Sequence, residues 1–259
     1  YYQGVRPAEV LKEKLPMALI HEGLGEVLYD PTGTYQCGDT VIMIPNIPCE
    51  KDEVIAENYL RSSKFRASGF DGFMQEHVAL DIDRVVPVDD SIDKVIAAFT
   101  ELVSVSVHAI RRFDSIAHKR RKAVGIWGDG NLGYITAIFF KAMFPNTKLY
   151  ILGVDQEKLS GFSFADDTFS VSDIPDDLYI DHAFECVGGA ASQQAINQII
   201  DHIQPEGTIS ILGVSEYPVP INTRMVLEKG LRIFGSSRSG REDFLKTVEL
   251  YKEHPEIIG

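Results

Sequence analysis

Apolar and polar positions follow two different rhythms along the chain, and the change lies near residue 92. Up to residue 90 the apolar residues come in short runs punctuated by Gly, Pro and Asp, which predicts a compact all-β region. The runs are GEVLYD, DTVIMIP, QEHVAL and DRVVPV. Between the second and the third, the stretch CEKDEVIAENYLRSSKFRASGFDG is predicted to be a long polar loop or a short helix.

The second rhythm begins with helical spacing in IDKVIAAFTELVSVSVHAIRRF and continues as alternating strand and helix patterns. The strand patterns are AVGIW, KLYIL, DHAFECV, GTISILG and RIFGSS. The helix patterns are LGYITAIFFKAMF, ASQQAINQIIDHI, RMVLEKG and EDFLKTVELYKE. This alternation predicts an α/β fold, with a doubly wound parallel sheet covered by helices on both faces.

The composition of the chain argues against several classes of function. The 259 residues carry a formal net charge of −13, which argues against a nucleic-acid partner because a phosphate backbone attracts a basic surface. No run of about 18 apolar residues occurs, so no membrane span is expected. The cysteines Cys37, Cys49 and Cys186 form no CxxC pair, which fits a reducing, cytoplasmic location.

A glycine cluster, GIWGDGNLGY, lies between a strand pattern and a helix pattern. Its spacing matches G-x-G-x-x-G, in which the glycines permit a sharp turn, a close approach to a pyrophosphate and close helix packing. We therefore predict dinucleotide binding, with a geometric turn or a methyltransferase cofactor site as alternatives. The predicted binding residues in this turn are Gly128, Gly130, Asn131, Leu132 and Gly133.

The end of the next strand bears on the choice of cofactor. NAD-binding sites usually carry an acid about 20 residues beyond the glycines, and here that position is Gly153. Glycine is expected to leave room for a 2′-phosphate, and Lys158 is a candidate cation, so the pattern favours NADP(H). The alternative is that Asp155 is the ribose acid, displaced by two residues.

Two later strand ends are predicted to line the same cofactor site, because ligands of doubly wound sheets bind at the carboxyl ends of strands. Cys186 is interpreted as a small buried residue and not as a nucleophile, since no base is adjacent in the sequence. The residues predicted at these two ends are Cys186, Val187, Gly188, Leu212 and Gly213.

A histidine and a glutamate are adjacent in HEGLGEV, just before a glycine turn. Imidazole and carboxylate are good ligands for Zn²⁺, so His21 and Glu22 are candidate metal ligands. The alternative is a surface histidine beside a solvated glutamate.

The segments HEGLGEV, GDTV, DGFMQEHV, FTELVSVSVHAI and GDGNLG resemble, in order and spacing, the medium-chain alcohol/polyol dehydrogenase family over nearly the whole chain. The resemblance implies a zinc-dependent oxidoreductase. It further implies a GroES-like catalytic β domain in residues 1–102, joined again by residues 236–259. Residues 103–235 are then a Rossmann domain for the nicotinamide cofactor.

Within this family His21 and Glu22 match the metal-binding pair, and Glu101 falls where sorbitol-type members use a glutamate at zinc. The resemblance therefore implies that these three residues form the metal and catalytic set. For Glu101 the alternative is a carboxylate favoured at a helix start by the helix dipole.

The sequence differs from the family pattern at three points. The family's first zinc ligand, a cysteine, is expected upstream of residue 1, because Cys37 and Cys49 lie in other segments. Both chain ends are interpreted as truncated. The four-cysteine lobe of many relatives is replaced by PCEKDEVIAENYLRSSKFRASG, so no structural zinc is expected.

Longer stretches resemble one branch of the family, the ribulose-5-phosphate reductases; they include KLPMALIHEGLGEV, EKDEVIAENYLRSSKFRASGFDGFMQEHV and INTRMVLEKGLRIFGSSRSGREDF. The branch implies NADPH-dependent reduction of D-ribulose 5-phosphate to D-ribitol 5-phosphate, for CDP-ribitol and then teichoic acid or capsule. It also implies a homodimer and functional coupling to a cytidylyltransferase. Alternatives are another NAD(P)-dependent polyol dehydrogenase or a zinc-free, non-catalytic NADPH-binding relative.

A phosphorylated substrate requires cations near the site, and guanidinium groups suit phosphate. The candidates in RSSKFR are Arg61, Lys64 and Arg66, with Arg6 as a further one; the alternative is a solvated loop face. Arg238, beyond a strand end, is a candidate contact for cofactor or substrate.

Overall fold

A computed structural model describes residues 8–257, and the chain divides into two compact units. The first unit extends to Val105 and resumes at Arg238, whereas the second comprises Ser106–Ser237. The prediction of two differently folded parts is confirmed, and both are described separately below.

The first unit is built from short elements joined by long irregular segments. Three strands form an antiparallel sheet in the order β1-β2-β5, and two form a separate antiparallel pair, β3-β4. The strands are β1 Leu24–Glu26, β2 Thr40–Met43, β3 Asn46–Ile47, β4 Lys64–Phe65 and β5 Val85–Pro87. The helices that begin in this unit are α1 Ala8–Lys14, α2 Lys94–Ala98 and α3 Thr100–Ile116, and the chain later returns as α8, Arg241–Glu253.

One expectation for this unit is wrong. The run QEHVAL is not a strand, because it is mostly exposed and lies outside every sheet. The helical spacing predicted from residue 92 is confirmed as two helices, α2 and α3, and Phe99 closes the first of them with a non-helical backbone. The strand patterns in DTVIMIP and DRVVPV do form β2 and β5.

The second unit is a six-stranded parallel sheet, as predicted. The strands are β6 Ala123–Trp127, β7 Lys148–Gly153, β8 Asp167–Ser170, β9 Ile180–Glu185, β10 Ile203–Ile211 and β11 Arg232–Gly235. Their order is β11-β10-β9-β6-β7-β8, and every neighbouring pair is parallel. Counted from β6, this is the strand order 3-2-1-4-5-6 of a dinucleotide-binding sheet.

Helices alternate with these strands: α4 Asn131–Met143, α5 Gln156–Ser160, α6 Ser192–His202 and α7 Thr223–Glu228. The central strands β6 and β9 are buried along their whole length, as expected for a parallel sheet covered by helices. Their side chains pack against α6 through a core that includes Trp127, Ile180 and Ile199.

None of the helices in the described part of the chain combines the length and the apolarity that crossing a bilayer requires.

Candidate functional site

Three side chains with metal-binding atoms converge in the first unit. The His21 Nε2 atom lies 3.7 Å from Glu22 Oε1 and 3.9 Å from Glu101 Oε2. One ligand atom from each residue lies within 4.8 Å of the other two. The structure therefore brings together the three residues that the family resemblance selected.

Backbone pairing fixes the position of His21 and Glu22. The carbonyl oxygen of Ile20 accepts a hydrogen bond from Phe73 N at 2.7 Å, and Gly72 N donates to the oxygen of Ala18 at 2.8 Å. A Cβ atom at Gly72 would overlap the Ile20 carbonyl oxygen, so only glycine permits this approach. Ile20 has φ +66°, a strained value for a β-branched residue that surrounding contacts must hold.

Glu101 comes to the cluster from the first turn of α3. It is 5% exposed, and burial, followed by the nearby charge of Glu22, raises the pKa of its carboxyl to about 8. Among the described residues, no N–H or O–H group donates a hydrogen bond to this carboxylate. A largely buried carboxylate that lacks a hydrogen-bond donor and lies beside a second carboxylate is an environment that a cation stabilises.

The donor set fits zinc. One imidazole nitrogen and two carboxylates are among its usual ligands, and the imidazole is held in place, since its ring meets Phe65 edge-on at 5.1 Å. The exposed cysteines Cys37 and Cys49 are not members of the cluster. Glu101 also lies in the first turn of α3, where the helix dipole favours a carboxylate. A carboxylate in this position can still bind a metal, so the two interpretations are compatible.

The glycine turn of the second unit has the geometry expected for a pyrophosphate site. Gly128 adopts φ +127°, which L side chains rarely tolerate. A Cβ at Gly133 would overlap the Gly128 carbonyl oxygen, whereas a Cβ at Gly130 would meet no atom within 4 Å. Asn131 and Leu132 open helix α4, so its first N–H groups are available to an anion.

Gly153 packs closely against an acid of the glycine turn, and the expectation of room for a 2′-phosphate stays a prediction. A Cβ there would lie 2.5 Å from the Asp129 carboxylate, which accepts hydrogen bonds from Val154 N and Asp155 N at 2.7 Å each. Asp155 caps helix α5, and Lys158 lies 4.0 Å from its Oδ2 atom. An acid therefore does stand at this strand end, supplied by the glycine turn.

A buried glutamate organises the two later strand ends. Glu185 Oε1 accepts hydrogen bonds from Val187 N at 3.0 Å and Gly188 N at 2.9 Å, while its Oε2 accepts from Gly213 N at 3.1 Å. Leu212 is buried beside them and its N–H donates to the Glu185 carbonyl. The loops after β9 and β10 are thus joined through one carboxylate.

Sequence reasoning missed Glu185 and Asp129. The available signal was an acid inside or directly after an apolar strand, in FECVGG and GIWGDG, because a buried carboxylate must find N–H donors. Cys186 is buried, and burial raises the pKa of its thiol to about 12. It is therefore a packed thiol at this strand end and not a nucleophile.

The predicted phosphate-binding cations differ in their surroundings. Arg66 donates to the carbonyl oxygens of Asp71 and Ala79 at 3.1 and 3.3 Å, so it braces the loop. The Lys64 ammonium lies over the Phe70 ring. Arg61 is exposed and forms no ion pair with any described residue. Arg6 lies outside the described residues.

Comparison with known proteins agrees with these features. A family model described as zinc-binding dehydrogenase matches residues 164–253. The chain is 55% identical over 258 residues to the ribulose-5-phosphate reductase of Bacillus spizizenii, covering 100% of this chain and 76% of that relative. It is 58% identical, with the same coverage, to ribulose-5-phosphate reductase 1 of Staphylococcus aureus.

Among solved structures, S. aureus TarJ in complex with NADPH superposes with a TM-score of 0.84 at 52% sequence identity, covering 97% of this chain and 72% of that chain. The sheet order, the glycine turn and identity above half over the full chain all agree with one family. The chain therefore belongs to the zinc-binding medium-chain dehydrogenases, on the branch of relatives named ribulose-5-phosphate reductase.

Proposed function

We propose that the protein reduces D-ribulose 5-phosphate to D-ribitol 5-phosphate with NADPH, assisted by one zinc ion. Two relatives that are 55% and 58% identical carry the name ribulose-5-phosphate reductase. A relative that is 52% identical was crystallised with NADPH. The observation that carries the chemistry is the convergence of His21, Glu22 and Glu101 within 4.8 Å.

The reaction adds a hydride and a proton to the C2 carbonyl of the open-chain ketose. His21, Glu22 and Glu101 would hold the zinc, which would supply Lewis-acid polarisation of the carbonyl oxygen; the hydride would come from NADPH and the proton from solvent. His21 binds through a neutral imidazole nitrogen and is therefore not the proton donor. The buried carboxylate of Glu101 orients the cluster and provides negative charge that favours a divalent ion.

The second unit has the parts needed to bind the nicotinamide nucleotide. The first N–H groups of α4 face a turn opened by Gly128 and Gly130, which suits a pyrophosphate. Glu185 restrains the loops after β9 and β10, where the nicotinamide end of a dinucleotide binds in such sheets. These residues bind and orient the nucleotide and do not exchange protons with it.

The biological setting is part of the proposal. Ribitol 5-phosphate is a substrate for a cytidylyltransferase, so the protein is expected to act before CDP-ribitol formation in the cytoplasm, for teichoic acid or capsule synthesis. A homodimer is proposed through β11, which is an edge strand of the six-stranded sheet and can pair with a second copy. Light scattering of the purified protein tests the dimer.

The activity is tested by following NADPH consumption with zinc-loaded protein. D-Ribulose 5-phosphate should be reduced much faster than D-ribulose, and NADPH should be a better donor than NADH. Equal rates with the unphosphorylated ketose would favour a general polyol dehydrogenase. Absence of both bound zinc and turnover would favour a non-catalytic nucleotide-binding protein.

A further inference from the structure

One guanidinium lies beside the candidate metal centre without a carboxylate partner. The Arg238 guanidinium carbon lies 4.7 Å from the centroid of the Phe65 ring. The His21 ring contacts the same phenyl ring at 5.1 Å. Arg238 is exposed, and no carboxylate of the described residues forms an ion pair with it. Its charge is therefore available to a ligand.

Hydrogen bonds that lead through Ser239 and Ser104 to Glu101 hold the backbone next to Arg238. Ser239 is buried, and its Oγ lies 2.6 Å from the Ser104 Oγ. Ser104 in turn donates to the Glu101 carbonyl oxygen at 2.6 Å, one turn back along α3. Arg238 itself has φ +58°, a left-handed value that such contacts must maintain. The guanidinium is thus presented by a fixed segment.

The distances suit a phosphorylated sugar. Because Arg238 and His21 each lie about 5 Å from the same ring, the guanidinium and the imidazole are at most about 10 Å apart. The carbon chain from the C2 carbonyl of a pentulose to its 5-phosphate extends about 6 Å. A ketose that presents its carbonyl near His21 therefore brings its phosphate within reach of Arg238.

Electrostatics favours such a cation. A divalent zinc ion would balance the two carboxylates of the cluster, but the chain has a net charge of −13, so a phosphate dianion binds best where a specific positive charge receives it. Two other arginines of this unit are engaged elsewhere, Arg66 by two backbone carbonyls and Arg84 by Glu57 at 3.0 Å, whereas the exposed Arg61 has no such partner among the described residues.

The geometry points to Arg238 as the residue that binds the 5-phosphate and makes the enzyme select a phosphorylated ketose. This inference rests on the proposed function and deepens it. The guanidinium carbon lies over the Phe65 ring, and a guanidinium can form two parallel hydrogen bonds with phosphate oxygens.

The test compares wild type with Arg238→Ala and Arg238→Lys on two substrates. For D-ribulose 5-phosphate, Arg238→Ala should lower kcat/KM roughly 10- to 100-fold, mainly through KM, and lysine should recover part of the loss. With D-ribulose, kcat/KM should stay unchanged, as should the KM for NADPH and the zinc content. Arg224→Ala, which removes an exposed guanidinium paired with Glu228, is the matched charge control.

Equal losses on both ketoses, a raised KM for NADPH, or the same selective loss in Arg61→Ala instead would overturn the inference. If wild type reduces neither ketose, the proposed function fails on its own. Calorimetric titration of inorganic phosphate into zinc-loaded protein then still tests the arginine. Tighter binding to wild type than to Arg238→Ala supports it, and equal binding contradicts it.

Discussion

Within residues 8–257, each unit of the chain buries one glutamate, and the two have opposite hydrogen-bonding environments. In the parallel-sheet unit, Glu185 is fully buried and its carboxylate accepts hydrogen bonds from three backbone N–H groups. In the small β unit, Glu101 is 5% exposed, receives no hydrogen bond from the described residues, and lies beside Glu22 with its pKa raised to about 8.

The difference separates a structural acid from a functional one. A buried charge must be compensated, either by the protein's own dipoles or by something the protein binds. The fold compensates Glu185 through the loops that it joins. Glu101 has no such donors among the described residues, and this is the physical basis for proposing the metal site in the β unit.

The largest effect is expected for Glu101→Gln, which removes the charge and retains the shape. Zinc affinity and turnover should fall at least about 100-fold, since a ligand or its close support is lost. The metal-free variant should be no less stable than wild type, because without the metal the wild-type carboxyl must either bind a proton or bury an uncompensated charge. Zinc analysis, turnover and urea unfolding in chelator check this, with the exposed Glu76→Gln as control. Retained zinc affinity would refute the assignment.

The opposite outcome is expected for Glu185→Gln. The amide can accept with only one of its two terminal atoms, so its NH₂ group must face at least one N–H group that the carboxylate accepts from. The free energy of unfolding should fall by about 2 kcal/mol, and NADPH should bind more weakly because the loops at the strand ends loosen. Urea unfolding and NADPH titration measure both effects. Unchanged stability would remove the contrast with Glu101.

A third expectation concerns pH and the sheet unit. His182 Nδ1 accepts from Thr208 N at 3.1 Å and Nε2 faces the Arg120 carbonyl oxygen at 3.0 Å, so the ring is neutral with its proton on Nε2. Burial, with a smaller contribution from His118, lowers its pKa from 6.5 to about 4. The unfolded chain therefore binds a proton at a higher pH than the native state does.

The contribution of His182 to the free energy of unfolding should accordingly be constant above pH 6.5. It should fall as the pH drops from 6.5 towards 4, by on the order of 2 kcal/mol. Fluorescence of the single, buried Trp127 reports on this unit during urea unfolding. His182→Asn should flatten the pH dependence. His202→Asn is the control, because it removes a second histidine of the same unit, one whose ring nitrogen also faces a carbonyl oxygen. An unchanged slope in His182→Asn would contradict the account.

The smallest effect is expected at the cofactor's ribose end. Asp129 places a carboxylate against Gly153 and compensates it with two backbone N–H groups. Asp129→Asn retains an acceptor and removes the charge, so the KM for NADPH should fall about threefold with little change for NADH. Steady-state kinetics with both donors measures this. A raised KM for NADPH alone would show that the carboxylate supports 2′-phosphate binding.

The sequence predicted the two units with unequal success, for a physical reason. In the sheet unit, the apolar runs of the sequence are also the strands that the fold buries. For this reason β6 and β9 can be predicted from their residue composition alone. The strand β8 was missed because DTFS is polar and lies at the sheet edge. In the β unit, strands of two to four residues depend on distant pairing, and the exposed run QEHVAL had the composition of a strand without a partner.

The same contrast applies to the site. The adjacency of His21 and Glu22 is visible in the sequence, but Glu101 belongs to a helix far along the chain, and no spacing rule connects them. Family resemblance selected it. Arg238 approaches the cluster only through the packing of Phe65 and Ser239, which no local pattern encodes.

The most direct test is anomalous diffraction from zinc-loaded crystals, measured on both sides of the zinc absorption edge. An anomalous peak is expected about 2 Å from His21 Nε2 and from a carboxylate oxygen of Glu22 or Glu101. A fully zinc-loaded, active crystal with no peak at this cluster, or with its zinc bound elsewhere, would contradict the central claim.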